Sequence, residues 1–319
     1  MIRAHAVALA AMLFAATCLS SLALAQPHPQ AGTNATMSAH DAETTDVNAT
    51  AQEQPAALVP DVLPSETGAG GSYVQVEDEG RIDWQEGLIT AKGVGLPPAF
   101  AANPAQARAM AVRAAELTAR KNLLEILQGV RIDSASTVQN RMLGSDVVRS
   151  EVSGVLQNSR ILETEERADG SVEVTVGVSL HGGLGAILLP RTMPVRQAAT
   201  APRTVEGGPT GLLVDAKGLG ARPAMTPRIV DENGREIYGV SVASRTHAVE
   251  QGMAGYAKDR EQAMGNPRIK GRPHVVKAVR AEGPNRTDLV IAAQDAEVLR
   301  GLAAQNDFLE KCRVMILLD

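Results

Sequence analysis

The chain alternates between stretches of regular apolar periodicity and stretches with none, and that alternation divides it. Tyr73-Val74-Gln75-Val76 and Leu88-Ile89-Thr90-Ala91 have the period of extended strands, and Gly93, Gly95 and Pro97-Pro98 close the second. Asn103 followed by Pro104 predicts a helix start, because the Asn side chain can accept a free backbone N–H and proline's fixed φ suits the first helical position. From there to Gln128, Met110, Ala114, Leu117, Leu124 and Leu127 recur at helical spacing, with Arg108, Arg113, Glu116, Arg120 and Glu125 at other angles, and Gly129 marks the stop. The first group is the expected core face. Val130 to Val138 reads as extended, and Val147 to Arg160 fits helix or strand. Ile161–Glu166 and Val172–Leu180 alternate around Ala168-Asp169-Gly170, which predicts a hairpin.

A second periodic region follows the Pro- and Gly-rich stretch 191–208. Gly211 to Ala216 is a short apolar strand, and Arg228-Ile229-Val230 and Glu236-Ile237-Tyr238 flank Asp231-Glu232-Asn233-Gly234, a strong hairpin signal. A helix is expected over 248–264, strands over 275–280 and 289–293, a helix capped by Asp295 through about Leu309, and a last strand over 313–318. The fold class expected is α+β. It comprises two small domains, 73–190 and 209–319, each with helices packed on a mainly antiparallel sheet, joined by the linker 191–208.

The N-terminal fifth is different in kind. A basic start at Arg3 leads into the apolar run 6–24, which closes on Ala23-Leu24-Ala25, so residues 1–25 read as a secretory signal cleaved before Gln26. Lipid attachment at Cys18 is the alternative, although Ala15 and Thr17 depart from a lipobox. Residues 26–72 contain few large apolar side chains and read as a disordered leader. The chain's formal net charge is -5, or -6 without Arg3; the leader carries six acids and no Lys or Arg, so residues 73–319 balance to zero. A neutral body with three Tyr, two Phe and one Trp gives no general reason to bind nucleic acid. No run after the signal reaches membrane-spanning length, and Cys312, the one cysteine left after cleavage, reads as a small core residue.

The run Ala105 to Ala115, continuing through Arg120 to Glu125 and Gly129 to Ser134, resembles the LPP-twenty lipoprotein domain, and Gly154-Val155 to Val176 is compatible with it. The resemblance covers about Ile89 to Leu180 and extends to the N-terminal part of the flagellar assembly protein T group. It implies an envelope protein with a helix packed on a small antiparallel sheet. The second unit is similar to the region that accompanies this domain in some envelope proteins.

Residues with chemistry are scattered. The histidines His5, His28, His40, His181, His247 and His274 form no metal-ligand pair in sequence. Gly93-Val94-Gly95 and Gly218-Leu219-Gly220 complete neither a dinucleotide fingerprint nor a P-loop. The acid pairs Glu165-Glu166 and Asp231-Glu232 sit beside turns with Arg167 and Arg235 and are expected to be solvated hairpin ends. No catalytic, cofactor-binding or metal residue is assigned and no cofactor is expected. The function expected is a non-enzymatic structural or assembly factor in the periplasm, peripheral to the outer membrane, whose partners are envelope proteins, flagellar or outer-membrane components among them. The alternatives are a periplasmic ligand-binding protein or hydrolase with a site between the domains around His181 or His247, and an outer-membrane lipoprotein anchored at Cys18.

Overall fold

The computed structural model describes residues 72–195 and 207–319. The signal, Cys18, the leader and most of the linker lie outside the described residues.

Residues 72–195 build a five-stranded antiparallel sheet in the order β1-β2-β3-β5-β4, from β1 (Val74–Glu77), β2 (Gly80–Asp83), β3 (Leu88–Gly95), β4 (Arg160–Glu166) and β5 (Val172–Ser179). Its helices are α1 (Pro104–Gly129), α2 (Val138–Gly144), α3 (Asp146–Gln157) and α4 (Gly183–Leu188). The Asn103 side chain accepts the Gln106 N–H, as the sequence predicts. The β4–β5 hairpin is also found, with Gly170 at φ 79° in its turn.

The face that α1 buries is the expected one only toward its end, where Leu127 is buried and Leu124 packs against the core. Ala111, Ala115, Ala119, Leu123 and Leu127 are buried, whereas Met110 is 36% exposed and Leu117 55%. The reason lies in the strand beneath. Ile89, Ala91, Gly93 and Gly95 alternate along β3, so the side chains shrink toward its end. A methyl group at Gly93 would meet backbone atoms of Ala115 and Ala119, and one at Gly95 would meet those of Ala111 and Ala115. Backbone lies almost on backbone, and only alanine fits the facing helix positions. Val172, Val174, Val176 and Val178 of β5 complete this core.

Residues 207–319 build a seven-stranded sheet in the order β8-β7-β11-β10-β6-β12-β9. Its strands are β6 (Leu212–Asp215), β7 (Ile229–Asp231), β8 (Glu236–Tyr238), β9 (Gly255–Ala257), β10 (His274–Glu282), β11 (Asp288–Ile291) and β12 (Val314–Leu317), with helices α5 (Arg245–Gln251), α6 (Arg260–Gly265) and α7 (Ala293–Gln305). The protein is α+β as expected, but this second sheet is mixed: β6 pairs in parallel with β10 and β12, β12 with β9, and β7 with β11. Strand direction depends on how connections cross, which local periodicity does not encode.

Two helices also differ from expectation. The one expected over 248–264 stops at Gln251, because Gly252 turns at φ 78° and the chain re-enters the sheet as β9 before α6 begins. The N-cap of α7 is Ala292, and the Glu232 side chain accepts the Ala293 N–H at 3.1 Å; Asp295 sits in the first turn, where its charge suits the helix dipole. The last strand, β12, is internal, flanked by β6 and β9, and all four of its residues are buried.

One hydrophobic core runs through both sheets. Trp84 packs edge-on against Tyr256 at 5.7 Å, the Lys258 ammonium lies 5.5 Å from the Tyr73 ring centre, and Ser72 bridges to Ala257. Backbone groups join the halves as well: Met225 N–H to Arg131 C=O at 2.9 Å, Thr226 N–H and Oγ1–H to Ile132 C=O at 2.7 Å each, and Asn285 N–H to Ser134 C=O at 2.9 Å.

Candidate functional site

The histidine singled out by the sequence lies where the two sheets meet. His181 follows β5, and Gly87 and Gly252, both at positive φ, press on its ring so closely that a side chain at either would collide with it. Burial, reinforced by the Arg268 guanidinium, pushes the imidazole down to about 4, so it is neutral near pH 7. His181 faces a cavity of about 20 Å³, walled by Trp84, Leu180, Met225 and Met253 among others. That is room for about one water molecule. No carboxylate lines it. Arg268 spends its donors on backbone carbonyls, those of Gly252 at 3.0 Å, Cys312 at 2.8 Å and Gln251.

The other candidates are bound up in the fold. His247 lies in α5 and His274 opens β10, and among the described residues no three His, Cys, Asp or Glu side chains gather into a metal-ligating group. Gly218 N–H donates to the Asp319 carboxylate at 2.8 Å, and the Leu219 carbonyl accepts from Arg286, so this glycine turn is closed by the protein's own side chains.

Of the two acid pairs, Glu166 is a surface group 2.7 Å from Arg108. Asp231 corrects the expectation of a solvated hairpin end, for its side chain is fully buried, 2.6 Å from Arg300 and 2.7 Å from Arg235. Burial opposes its charge, but the hydrogen bonds from Arg300 and Arg235 outweigh that and hold the carboxyl well below the usual carboxylate range. The network pins the β7–β8 turn to α7. Cys312 is fully buried, and burial raises its thiol to about 11. Arg113, exposed, and Arg120, half-buried, both pair with the half-buried Glu116 on the flank of α1.

What sequence reasoning placed inside, the structure leaves outside. Met110, Ala114 and Leu117, at helical spacing, form an apolar stripe on the open side of α1. Leu143 and Val147, on α2 and α3, are also well exposed. Of the thirteen large apolar side chains exposed among the described residues, ten lie before residue 196. The signal for this was present in the sequence: α1 carries two apolar stripes, one of them made of alanines.

A helix packed on a small antiparallel sheet is the arrangement that the LPP-twenty resemblance implies, and α1 on the five-stranded sheet has it. Residues 90–179 match the LPP20 lipoprotein family. The match runs from β3 to the end of β5, so this half of the protein is an LPP20-like layer. Residues 211–319, the whole of the seven-stranded sheet with its helices, match the second domain of Treponema pallidum Tp0624. No curated protein matches the chain. Neither matched family is a flagellar one by description. The LPP20 match likens residues 90–179 to a lipoprotein family, and among the described residues no helix is long and apolar enough to cross a membrane.

Proposed function

We propose that the protein is a non-catalytic structural or assembly factor of the bacterial envelope, working in the periplasm at the outer membrane and gripping other envelope proteins through the LPP20-like layer. The observation that carries this reading is the apolar stripe Met110–Ala114–Leu117, left bare on a helix whose opposite face is fully packed. Apolar surface set apart in this way can form the centre of a protein-binding face, with the polar surface of the helix around it supplying the rest of the contact. The non-catalytic part is supported by the water-sized cavity at His181, which has no acid in its wall to orient or charge the imidazole. Flagellar and outer-membrane components are the candidate partners.

The test is photo-crosslinking in cells from a reactive amino acid at position 117, followed by the double change Met110→Glu and Leu117→Glu. Both side chains are exposed, so the variant should fold, within ~0.5 kcal/mol of the parent, and lose the crosslinked envelope protein. An unchanged set of crosslinks would overturn the proposal.

A second reading, attachment by lipid at Cys18, draws support from the lipoprotein family match. The intact mass of the mature N-terminus separates the two, since a chain beginning at Gln26 rules the anchor out and an acylated Cys18 establishes it.

A further inference from the structure

A separate apolar feature sits at one end of the five-stranded sheet. β3 ends at Gly95, and the link to the Asn103 cap of α1 is Leu96-Pro97-Pro98-Ala99-Phe100-Ala101-Ala102. Leu96 is 70% exposed and Phe100 80%. From Gly93 through Ala107 there is no charged residue. Two prolines stiffen the loop, and the β4–β5 turn lies against it, Gly170 facing Pro97.

The cations around this tip are all held by acids. Lys92 and Arg167 both bind Glu173, and Arg108 binds Glu166. The facing turn adds the exposed acid Asp169, so no net positive patch is left there to attract an anionic lipid.

The shape and size of the tip decide what it fits. A stable protein interface takes roughly 800 Å² from each partner, and one aromatic side chain supplies only about 150–250 Å². Leu96 and Phe100 on a protruding loop fall far short of that. They suffice for a lipid surface, where apolar side chains enter the boundary between headgroups and acyl chains singly, each adding its own area. We infer that the β3–α1 loop is a membrane-contact tip, with Leu96 and Phe100 entering the headgroup–acyl boundary of a phospholipid bilayer. Because the neighbouring cations are paired, insertion depends on apolar burial, so it needs no anionic lipid and survives high salt.

The experiment uses the full-length chain and a reporter at the tip. The single natural tryptophan, Trp84, is 4% exposed and gives a steady background. Phe100→Trp adds a second fluorophore, read against phosphatidylcholine vesicles with and without phosphatidylglycerol. The apolar run 6–24 can bring the chain to a vesicle unaided, so the readout is local to residue 100. The expected result is a blue shift and quenching by lipids brominated on their acyl chains, the same in both lipid mixtures and in high salt. Adding Leu96→Asp should weaken the response about tenfold, since a carboxylate resists burial in lipid. Leu143→Trp, at a site 69% exposed on the same layer, should stay unshifted. The inference is overturned by an unmoved emission at position 100, by an equal shift at position 143, by dependence on phosphatidylglycerol that salt abolishes, or by crosslinking of residue 100 to a protein instead of lipid.

Discussion

His181 shows how one enclosed side chain can make the fold sensitive to pH. Burial pushes its imidazole from the ordinary 6.5 down to about 4 in the folded protein, so between those limits the unfolded chain binds more protons than the folded one. Stability should therefore be complete above pH 6.5 and fall as the medium is acidified, with the loss levelling off near pH 4. From pH 7 to 5 the contribution is ~1–2 kcal/mol. Urea midpoints at the two pH values measure it, and a His181→Gln chain with the same drop would show that the source lies elsewhere. A different residue-scale constraint governs Gly95, where an added methyl would press on the α1 backbone. Gly95→Ala should cost ~1–3 kcal/mol by overpacking, seen as a lower melting temperature; a neutral result would mean that the helix can lift off the strand freely.

At the scale of elements, β12 is the clearest case of position deciding consequence. It lies between β6 and β9, hydrogen-bonded on both sides, so removing residues 313–319 should unfold the second sheet rather than merely expose an edge. Loss of cooperative melting in the truncated chain is the expected reading, and a truncation with native circular dichroism would refute it. Much at this scale could be read from the sequence. The Asn103-Pro104 start of α1, the Asp-Gly turn of the β4–β5 hairpin and the Asn-Gly turn between β7 and β8 are local devices, and each is where its residues put it. What stayed hidden depended on distant partners. The buried face of α1 follows from Gly93 and Gly95 on another element, and the break at Gly252 follows from β12 offering β9 a place in the sheet. Asp231 looked solvated because Arg300, which neutralises it, is far along the chain. The exposed stripe proposed to bind partners was mistaken for core because it has the larger side chains of the two.

On the scale of the whole molecule, the two sheets share a core, with Trp84 of the LPP20-like layer seated against Tyr256 of the other. The described body should therefore melt as one unit, the fluorescence of Trp84 and the far-ultraviolet dichroism changing at the same urea concentration. Two separated transitions would show that the layers are energetically independent. The strand order has a bearing on timing too. β9 pairs with β12, and β12 (Val314–Leu317) comes after every other strand of the sheet in chain order. While the polypeptide is being synthesised, the second sheet lacks the strand that joins β9 to β6, and Tyr256 has no settled place from which to meet Trp84. Closure of the second sheet must therefore wait for β12, the last in chain order of the described strands, and until then its two flanking strands are held apart with nothing between them.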